Sequence, residues 1–576
     1  MCGIFGSYCN EVDLAVNREA LETLKHRGPD QQGEFFDKNI YLGHRRLSIL
    51  DLSENGRQPM LSNDIVITVN GEIYNFQELK AELQKKYIFK SNSDSEVVLH
   101  GYIEWGIEKL LERIDGMYAI VICDRNQKEI ILARDRYGIK PLYFSDHQLK
   151  FSWASELKAL EKFLERDSLQ IDRTALYDYL TYLYIPTPKT LYKNIYKLSP
   201  AHYLVFSTSS FSYKIHRYWE LPVQEKNYSI DAASEKVRGL IEKSVKEQMI
   251  SDVPLGFFLS GGIDSSTVVA SASRFSKQLH TFSIGFDVAE HNETKYARQV
   301  AQLFSTEHSE KILDIQAANG YFNRFKEWYD EPFADTSALP SYLVSEFAKQ
   351  KSTVVLTGDG GDELFGGYEW YFRYWNYSKK HIGFLQYLTP YLSNIRKRNK
   401  YSTLGRAINQ LEYRSVKQFD LYAKLLGGLL PYEKQHYRKF WDIPSDYDDY
   451  WYFKKFYKSE LTPFKRLQYM DFHTYLHDDI FTKVDRVSMS VALECRVPFM
   501  QKELVEFAFS LPENIIYYNN EKKGLLKYAF DQILPKEILY RPKRGFNIPL
   551  HHWNQQFLKD TSSQQERILS LYKTDE

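Results

Sequence analysis

The sequence has few cysteines, no long apolar run and no excess of charge of either sign. Its 576 residues include only four cysteines, at positions 2, 9, 123 and 495, and no C-x-x-C pair. A disulfide scaffold is therefore excluded. No stretch reaches the roughly 18 apolar residues that span a bilayer, and the N-terminus lacks a basic region followed by an apolar one. We expect a cytoplasmic protein without a membrane span.

Charge and aromatic content narrow the class of partner. The chain carries 75 basic and 75 acidic residues, so it has no net field for binding a nucleic-acid backbone, and we expect no nucleic acid as a partner. The aromatic residues, 15% of the chain, lack interleaved basic runs and are expected to pack in cores rather than to stack on bases. The length exceeds one ordinary core and predicts two large domains.

The first part of the chain shows the pattern of an α+β layered domain. Residues 65–70 alternate as a strand does, and residues 117–123 and 129–133 form a predicted hairpin. Helical patterns over 76–86 and 94–105 lie between these strands. Helices packed on sheets are therefore expected here. A Ser/Thr-rich patch then interrupts the periodicity, and we place a domain boundary near residues 205–227.

After the boundary the pattern changes to strands that alternate with helices. Predicted strands over 255–259, 280–284 and 353–357 are separated by helical segments of ten residues or more. This alternation is typical of a parallel, doubly wound sheet. From about residue 370 onward the chain is predicted to be helical.

Two acidic glycine-rich loops follow predicted strands of this sheet, Ser260-Gly-Gly-Ile-Asp-Ser-Ser266 and Thr357-Gly-Asp-Gly-Gly-Asp362. The first lies between a strand and a helix, where backbone N–H groups converge on an anion. Capped turns would explain the aspartates more simply. However, carboxylates next to phosphates are tolerated when Mg²⁺ lies between them, and Asp264 and Asp362 are the predicted ligands of that ion. The sequence therefore predicts a magnesium–nucleotide site.

The N-terminus predicts a second site. Removal of Met1 would give Cys2 a free α-amine next to its thiol, so that one residue supplies nucleophile and base. Asn70 and Gly71, at a strand end, are predicted oxyanion donors. Arg46 suits a carboxylate, and Glu72 with Asp94 suits an ammonium group. Each residue has an ordinary structural explanation, but together they outline a pocket for a free amino acid.

The nucleotide loop closely resembles the pyrophosphate loop of ATP pyrophosphatases, which form adenylates and release pyrophosphate. The resemblance implies an ATP site and two catalytic residues, Asp359 near the reacting carboxyl group and Lys543, in Arg541-Pro-Lys-Arg-Gly-Phe546, on the developing phosphate charge. The implied ATP-binding residues are Phe258, Leu259, Ser260, Gly261, Gly262, Asp264, Ser265, Ser266, Ile284, Thr357 and Gly358.

Four motifs resemble class II glutamine amidotransferases, which hydrolyse glutamine to glutamate and ammonia: Cys2-Gly-Ile-Phe-Gly6, His26-Arg-Gly-Pro-Asp30, Asn70-Gly-Glu72 and Asp135-Arg-Tyr-Gly-Ile-Lys-Pro-Leu-Tyr143. Together with the pyrophosphate loop they resemble the glutamine-hydrolysing asparagine synthetase family over residues 2 to about 560. The resemblance implies an αββα N-terminal-nucleophile domain over 2–210 and an α/β ATP-pyrophosphatase domain over 228–565 with a helical C-terminal part. It also implies glutamine-binding residues Arg46, Leu47, Ser48, Ile49, Leu50, Asn70, Gly71, Glu72 and Asp94.

The implied reaction joins glutamine-derived ammonia to an aspartyl-adenylate through a shielded passage, in a possible homodimer. Lys483-Val-Asp-Arg486 and Glu494-Cys-Arg-Val-Pro-Phe499 also resemble this family and are expected to shape the acceptor side of the ATP site. Asp359 stands where many asparagine synthetases have Glu, and relatives with the shorter acid are proposed to amidate other carboxylates. A sugar uronate thus remains an alternative acceptor. A β-lactam-forming relative is disfavoured by Cys2, and a non-catalytic sensing or scaffold protein by the intact acidic loops.

Overall fold

The computed structural model describes residues 1–165, 168–287, 292–313, 324–379 and 418–541, together with single positions 391, 408, 410, 411, 413, 414, 568, 569 and 572. Within these residues, no helix combines the length and the apolar character needed to cross a membrane.

Two antiparallel sheets form the first part of the chain. They are ordered β10-β8-β9-β1-β3-β2 and β12-β11-β7-β6-β5-β4. Their strands are, in chain order, β1 (Cys2–Tyr8), β2 (Gln31–Phe36), β3 (Ile40–Arg46), β4 (Met60–Ser62), β5 (Ile65–Ile73), β6 (Gly116–Asp124), β7 (Glu129–Arg134), β8 (Tyr143–Ser145), β9 (Phe151–Ala154), β10 (Ile195–Lys197), β11 (His202–Ser207) and β12 (Ser212–Arg217).

The two sheets stack face to face, with helices on both outer faces. Ile4 and Trp153 of the first sheet share an apolar core with Val121 of the second. Helices Leu14–Glu22, Leu157–Phe163 and Arg173–Tyr182 cover the first sheet, and Phe76–Leu83 and Ser95–Arg113 cover the second. This αββα arrangement confirms the predicted fold class of the first domain. The long helix is broken at Gly106, whose φ of 73° is left-handed, one residue beyond the predicted end.

A five-stranded parallel sheet forms the core of the second part, in the order β15-β14-β13-β16-β17. Its strands are β13 (Leu255–Phe258), β14 (His280–Phe286), β15 (Glu307–Leu313), β16 (Val354–Leu356) and β17 (Glu494–Arg496). All four neighbouring pairs run parallel, so the carboxyl ends of the strands share one edge. The sequence pattern predicts β13, β14 and β16 but not β15 or β17.

Helices dominate the rest of the described chain, as the sequence predicts. The helices that flank the parallel sheet are Ile230–Gln248, Ile263–Ala272, Thr294–Leu303, Phe325–Trp328, Ala338–Lys349, Gly361–Phe365 and Glu369–Lys379. Those that follow are Gln418–Leu426, Gln435–Phe440, Trp451–Lys455, Pro463–His473, Thr482–Met489, Lys502–Ser510, Glu513–Ile516, Gly524–Phe530 and Lys536–Leu539. A π-helical turn, Leu476–Phe481, leads into Thr482–Met489.

Candidate active sites

Cys2 begins the central strand of the first sheet. The pairing of β1 with β3 places Cys2 opposite Arg46, and only 6% of Cys2 is exposed. Its backbone N–H donates to Asn70 Oδ1 at 2.9 Å. Burial raises the pKa of the Cys2 thiol, so the thiol is protonated at neutral pH. It therefore needs a base before it can act as a nucleophile.

The predicted oxyanion donors lie on β5, next to Cys2. The Asn70 amide nitrogen is 3.4 Å from Ser155 Oγ, and Asn70 is fully buried. At Gly71 the chain passes so close to β6 that an added Cβ would stand 2.0 Å from the Met117 carbonyl oxygen. Only glycine fits here, so no side chain of residue 71 stands over the backbone near the nucleophile.

Arg46 is 4% exposed, and in this structure it holds the loop that follows β3. Its guanidinium donates to Gln31 Oε1 at 2.7 Å and to the carbonyl oxygens of Leu50 and Asp51 at 2.9 and 2.6 Å. These bonds fix the loop that contains the predicted glutamine-binding segment 47–50. Contact between Arg46 and a glutamine carboxylate stays a prediction.

The segment 47–50 is anchored at three points. The Leu47 N–H donates to the Met1 carbonyl at 3.2 Å, and the Ser48 N–H donates to Asp30 Oδ2 at 2.8 Å. The Ile49 carbonyl accepts from the Asp252 N–H at 3.0 Å. The segment thus runs alongside the N-terminus and contacts the second domain.

Glu72 and Asp94 are both buried near the nucleophile. Asp94 Oδ2 accepts from the Ile73 N–H at 2.7 Å, and Glu72 lies 3.5 Å from the Arg496 guanidinium. Burial raises the pKa of both carboxyl groups, and the charge of Glu494 raises it further. A cation placed between them would relieve this effect, which suits the predicted ammonium site.

Strand β17 of the second domain lies directly behind the N-terminus. The Met1 amine donates to Glu494 Oε2 at 2.8 Å, and the side chains of both residues are fully buried. Two residues along the strand, the Arg496 carbonyl accepts from the Thr357 N–H at 2.9 Å. One short strand therefore contacts the cysteine site on one side and the second acidic loop on the other.

The first acidic loop joins β13 to helix Ile263–Ala272. Ser265 Oγ accepts from the Ser260 N–H at 3.2 Å, and Ser260 Oγ accepts from the Gly262 N–H at 3.3 Å. Gly261 has a left-handed φ of 69°, and an added Cβ would lie 2.6 Å from the Ala297 nitrogen. The loop is a tight, hydroxyl-lined turn at a helix N-terminus, which favours an anion.

The second acidic loop packs against the first. β13 and β16 are neighbours, so both loops leave the same edge of the sheet. A Cβ on Gly358 would stand 2.8 Å from the Ser265 nitrogen, and one on Gly361 would stand 2.5 Å from Asp264 Oδ1. The structure thus brings the two predicted loops into contact, and glycine makes this approach possible.

Lys523, which the sequence did not single out, bridges the two predicted metal ligands. Its ammonium group pairs with Asp264 and lies 2.5 Å from Asp362 Oδ1. Lys523 is 3% exposed. In the sequence it stands among charged residues far from either loop, a pattern typical of a solvated surface. Only the fold reveals that two carboxylates converge on one cation.

Asp359 belongs to a separate polar cluster beside the loops. Its carboxylate accepts from Thr357 Oγ1 at 2.7 Å. Burial raises the pKa of Asp359, and the charge of Lys483 opposes that rise. The Lys483 ammonium donates to Asp335 Oδ2 and to Ser337 Oγ, both at 2.8 Å. This acceptor cluster, defined as Asp335, Ser337, Asp359, Asp479 and Lys483, adjoins the nucleotide loops.

The remaining predicted nucleotide residues line the same sheet edge. The Leu259 N–H donates to the Phe282 carbonyl at 2.9 Å. Leu259 and Ile284 are buried, and Phe258 is half-buried. Arg541 pairs with Glu293 at 2.8 Å, and its guanidinium stands 3.7 Å from the position of a Cβ on Gly262. Lys543 lies outside the described residues, and its role stays a prediction.

The two segments expected to shape the acceptor side do so only in part. Lys483 lies in the acceptor cluster, but Asp485 pairs with Arg27 of the first domain, and Arg486 lies between the domains, where it pairs with Asp330 and Glu156. Glu494 faces Met1. The expectation is wrong for these three residues because successive residues of a helix or strand point in different directions, which a motif does not show.

The fold and the sites define a class. An αββα sandwich with a buried cysteine at position 2, beside Asn70, is joined to a parallel sheet whose two acidic loops meet at a helix N-terminus. This is the class of amidotransferases joined to an ATP-binding α/β domain.

Known proteins place the chain within this class. The sequence profile of asparagine synthase matches residues 236–573, and that of the glutamine amidotransferase domain matches residues 1–219. Asparagine synthetase [glutamine-hydrolyzing] 1 of Bacillus subtilis is 34% identical, with 96% of this chain and 88% of the relative covered. The chain belongs to the asparagine synthase family.

Two further relatives are also named as asparagine synthetases. Asparagine synthetase [glutamine-hydrolyzing] 3 of Bacillus subtilis is 30% identical over 99% of this chain and 91% of its own length. A putative asparagine synthetase [glutamine-hydrolyzing] 2 of Methanocaldococcus jannaschii is 39% identical over 64% of this chain and 76% of its own length.

Proposed function

We propose that the protein is a glutamine-hydrolysing asparagine synthetase, which converts aspartate, glutamine and ATP to asparagine, glutamate, AMP and pyrophosphate. The convergence of Asp264 and Asp362 on Lys523, where two glycine-rich loops meet, is the observation that carries the proposal. The family membership and the buried cysteine at position 2 support it. We also propose a cytoplasmic location and a homodimer, on the family resemblance.

In the glutaminase half, Cys2 Sγ attacks the amide carbon of glutamine. The thiol proton passes to the α-amine that removal of Met1 would expose, and this base has a pKa of about 7.7–8.0. Asn70 and Gly71 stabilise the oxyanion. The C–N bond then breaks, the α-amine returns the proton to the leaving nitrogen, and ammonia departs. Water hydrolyses the thioester to release glutamate and restore the thiol.

In the synthetase half, the backbone N–H groups and hydroxyls of residues 260–266 bind the phosphates of ATP. Two carboxylates that already share one cation fit Mg²⁺, which is usually held by one or two carboxylates plus phosphate oxygens. Asp264 and Asp362 would hold this ion, and when bound it neutralises phosphate charge. Lys523 would then turn its ammonium from these carboxylates toward the phosphate oxygens.

The acceptor carboxylate attacks the α-phosphorus, and pyrophosphate leaves. Ammonia then attacks the acyl carbon, AMP leaves with the C–O electron pair, and the nitrogen releases one proton to solvent to give the amide. An acceptor with an ammonium group suits the acceptor cluster, because burial and the charge of Asp335 together hold the pKa of Asp479 above its ordinary value. Lys483 already pairs with Asp335, so a further cation in the cluster would act on Asp479 and stabilise its carboxylate. Aspartate carries such a group and a sugar uronate does not.

Ammonia must travel between the halves without taking up a proton from bulk water. Strand β17 contacts Glu72 of the cysteine site through the Arg496 side chain and contacts the second acidic loop through the Arg496 carbonyl. We propose that ammonia passes beside this strand, since the strand contacts both sites.

The deciding experiment incubates the protein with Mg-ATP, glutamine and aspartate and measures AMP and asparagine by mass spectrometry. A parallel incubation replaces aspartate with galacturonate. AMP that depends on aspartate and matches asparagine supports the proposal. AMP formed only with the uronate would show that the acceptor is a uronate rather than aspartate, and the two-site mechanism would still hold.

A further inference from the structure

A single buried guanidinium connects the nucleophile to the second domain. Arg27 Nε donates to the Cys2 carbonyl oxygen at 3.0 Å. The two terminal nitrogens of the same group donate to Asp485 at 2.8 and 3.1 Å, and one of them also donates to Glu156 at 2.8 Å. The Arg27 side chain is 0% exposed. The backbone position of the nucleophile therefore depends on how Arg27 is held.

Asp485 is the partner that fixes the orientation of this guanidinium. It accepts two parallel N–H bonds, a geometry that sets both the position and the plane of an arginine. Its second cationic neighbour is Lys140, at 3.5 Å. Although burial opposes ionisation, the charges of Arg27 and Lys140 hold the pKa of Asp485 below its usual value. Asp485 thus stays charged and continues to orient Arg27 at neutral pH.

The same helical turn contacts the acceptor cluster. Lys483 precedes Asp485 by two residues in helix Thr482–Met489, and residues two apart point to roughly opposite sides of a helix because each turns about 100°. Lys483 reaches Asp335 and Ser337, both at 2.8 Å, while Asp485 reaches Arg27. One turn of helix therefore touches both sites.

We propose that Asp485 is a positioning residue for glutamine hydrolysis, which holds Arg27 against the Cys2 carbonyl and ties the position of the nucleophile to the acceptor cluster. The inference rests on the proposed function. It implies that the glutaminase half works at full rate only when the helix Thr482–Met489 is seated as it is here. Occupation of the acceptor site is expected to favour that seating.

The test compares Asp485→Asn with Asp330→Asn. Asparagine keeps the shape of the side chain but removes the charge that orients Arg27. Asp330 is a matched control, since it is a buried carboxylate of the same interface that pairs with Arg486 at 2.6 Å and with Lys158 at 3.4 Å. Glutaminase kcat, KM for glutamine, ammonia-dependent AMP formation and Tm are measured for each variant.

Asp485→Asn should lower glutaminase kcat by roughly 10- to 100-fold, as small displacements of a nucleophile do. KM for glutamine and ammonia-dependent AMP formation should change less than about twofold, which marks a loss confined to one step. Asp330→Asn should leave the ratio of glutamine-dependent to ammonia-dependent rates unchanged. An equal loss of both activities, or the same ratio in both variants, would overturn the inference.

A double-mutant cycle guards against a purely structural effect. If Arg27 and Asp485 act through one contact, Arg27→Lys with Asp485→Asn should cost no more glutaminase activity than the worse single variant. Additive losses would contradict the inference. Should Asp485→Asn fail to fold, Asp485→Glu, which keeps the charge but shifts the fork, must lower glutaminase kcat while sparing ammonia-dependent turnover. If it spares both, the inference fails.

The glutaminase assay needs neither ATP nor acceptor, so it tests the Arg27–Asp485 contact even if aspartate proves not to be the acceptor. Wild-type glutaminase kcat should rise when Mg-ATP and aspartate are added, and the rise should be smaller in Asp485→Asn. A rise of equal size in both proteins would refute the link to the acceptor cluster.

Discussion

The two halves of the molecule build their sites in different ways. Around Cys2, the pairing of β1 with β3 and the bond from the Cys2 N–H to Asn70 bring the predicted residues together, and these residues all lie within the first 94 positions. Around Asp264, carboxylates from two loops are balanced by a lysine 259 residues away along the chain. Strand register brings the predicted residues of the first site together, whereas a long-range ion pair brings the two acidic loops of the second site together. Substitutions at the two sites should therefore be detected by different measurements.

The sharpest separation comes from Cys2→Ala. Loss of the nucleophile should lower glutamine-dependent synthesis by roughly 10³-fold or more, because no other group can form the thioester. Ammonia-dependent synthesis should persist. Rates with each nitrogen source check this. Cys9→Ala is the matched control, since Cys9 is also buried at an end of β1.

Loss of both activities in Cys2→Ala would mean that Cys2 serves the fold. The intact mass of the active protein adds a second check, because the mechanism requires that Met1 be removed. An active preparation that retains Met1 would refute the N-terminal nucleophile.

Asp264→Asn should act on the other half and lower AMP formation with either nitrogen source, by roughly 10²- to 10³-fold. The physical reason is that Asp264 would no longer help to hold the cation that neutralises the reacting phosphates. Glutaminase activity without ATP should change little. Glu310→Gln serves as the control, since Glu310 lies on β15 of the same sheet and forms a surface ion pair with Arg298. Unchanged AMP formation in Asp264→Asn would contradict the magnesium assignment.

Lys523→Met tests the charge balance itself. Without the lysine, Asp264 and Asp362 lose a cation that they share. Removing one member of a fully buried ion pair costs about 3–5 kcal/mol, and a smaller loss is expected here because both carboxylates are partly exposed. Tm without metal should fall, and added Mg²⁺ should restore more of it than in the wild type. Thermal melts over a series of Mg²⁺ concentrations measure this. A Tm that ignores Mg²⁺ in the variant would show that the carboxylates do not hold the ion.

What the sequence could predict follows the same division. The two acidic loops follow adjacent strands, as predicted, because strand order brings the strand ends together. Asn70-Gly-Glu72 was predicted at a strand end but lies within β5, which continues to Ile73 and pairs with β6 throughout. The orientation of a helix or strand residue was not predictable. Asp485, two residues after Lys483, and Glu494, in the second motif, both face the first domain. Lys523 could not be found either, since its partners lie far away in sequence and only tertiary packing unites them.

Gly361→Ala is a smaller perturbation of the nucleotide site. Its Cβ would stand 2.5 Å from Asp264 Oδ1, so the two loops must separate by several tenths of an ångström. KM for ATP should rise by about tenfold, the equivalent of roughly 1.4 kcal/mol, while glutaminase activity is retained. Gly239→Ala is the control, because nothing lies within 4 Å of its added Cβ. Equal KM values for the two variants would show that the loop contact does not matter for ATP.

The smallest expected effect is a change of stability with pH, and it arises in the second half of the molecule. Asp471, in the helical region of the second domain, is fully buried, and its carboxylate accepts from Trp370 Nε1 at 3.1 Å and from Tyr422. Burial raises its pKa from 3.8 to about 8. The folded state therefore keeps a proton that the unfolded chain releases near pH 4.

The direction in which stability changes with pH follows from this difference in protonation between the folded and unfolded states. The contribution of Asp471 to stability is complete below about pH 4 and is lost as the pH rises toward 8, because the folded state must give up its extra proton or bury a charge. The Tm of the wild type minus that of Asp471→Asn should therefore fall by a few degrees between pH 5 and pH 8. Thermal melts of both proteins across this range measure it. A difference that stays flat would mean that Asp471 is ionised in the folded protein and is stabilised there by Trp370 and Tyr422.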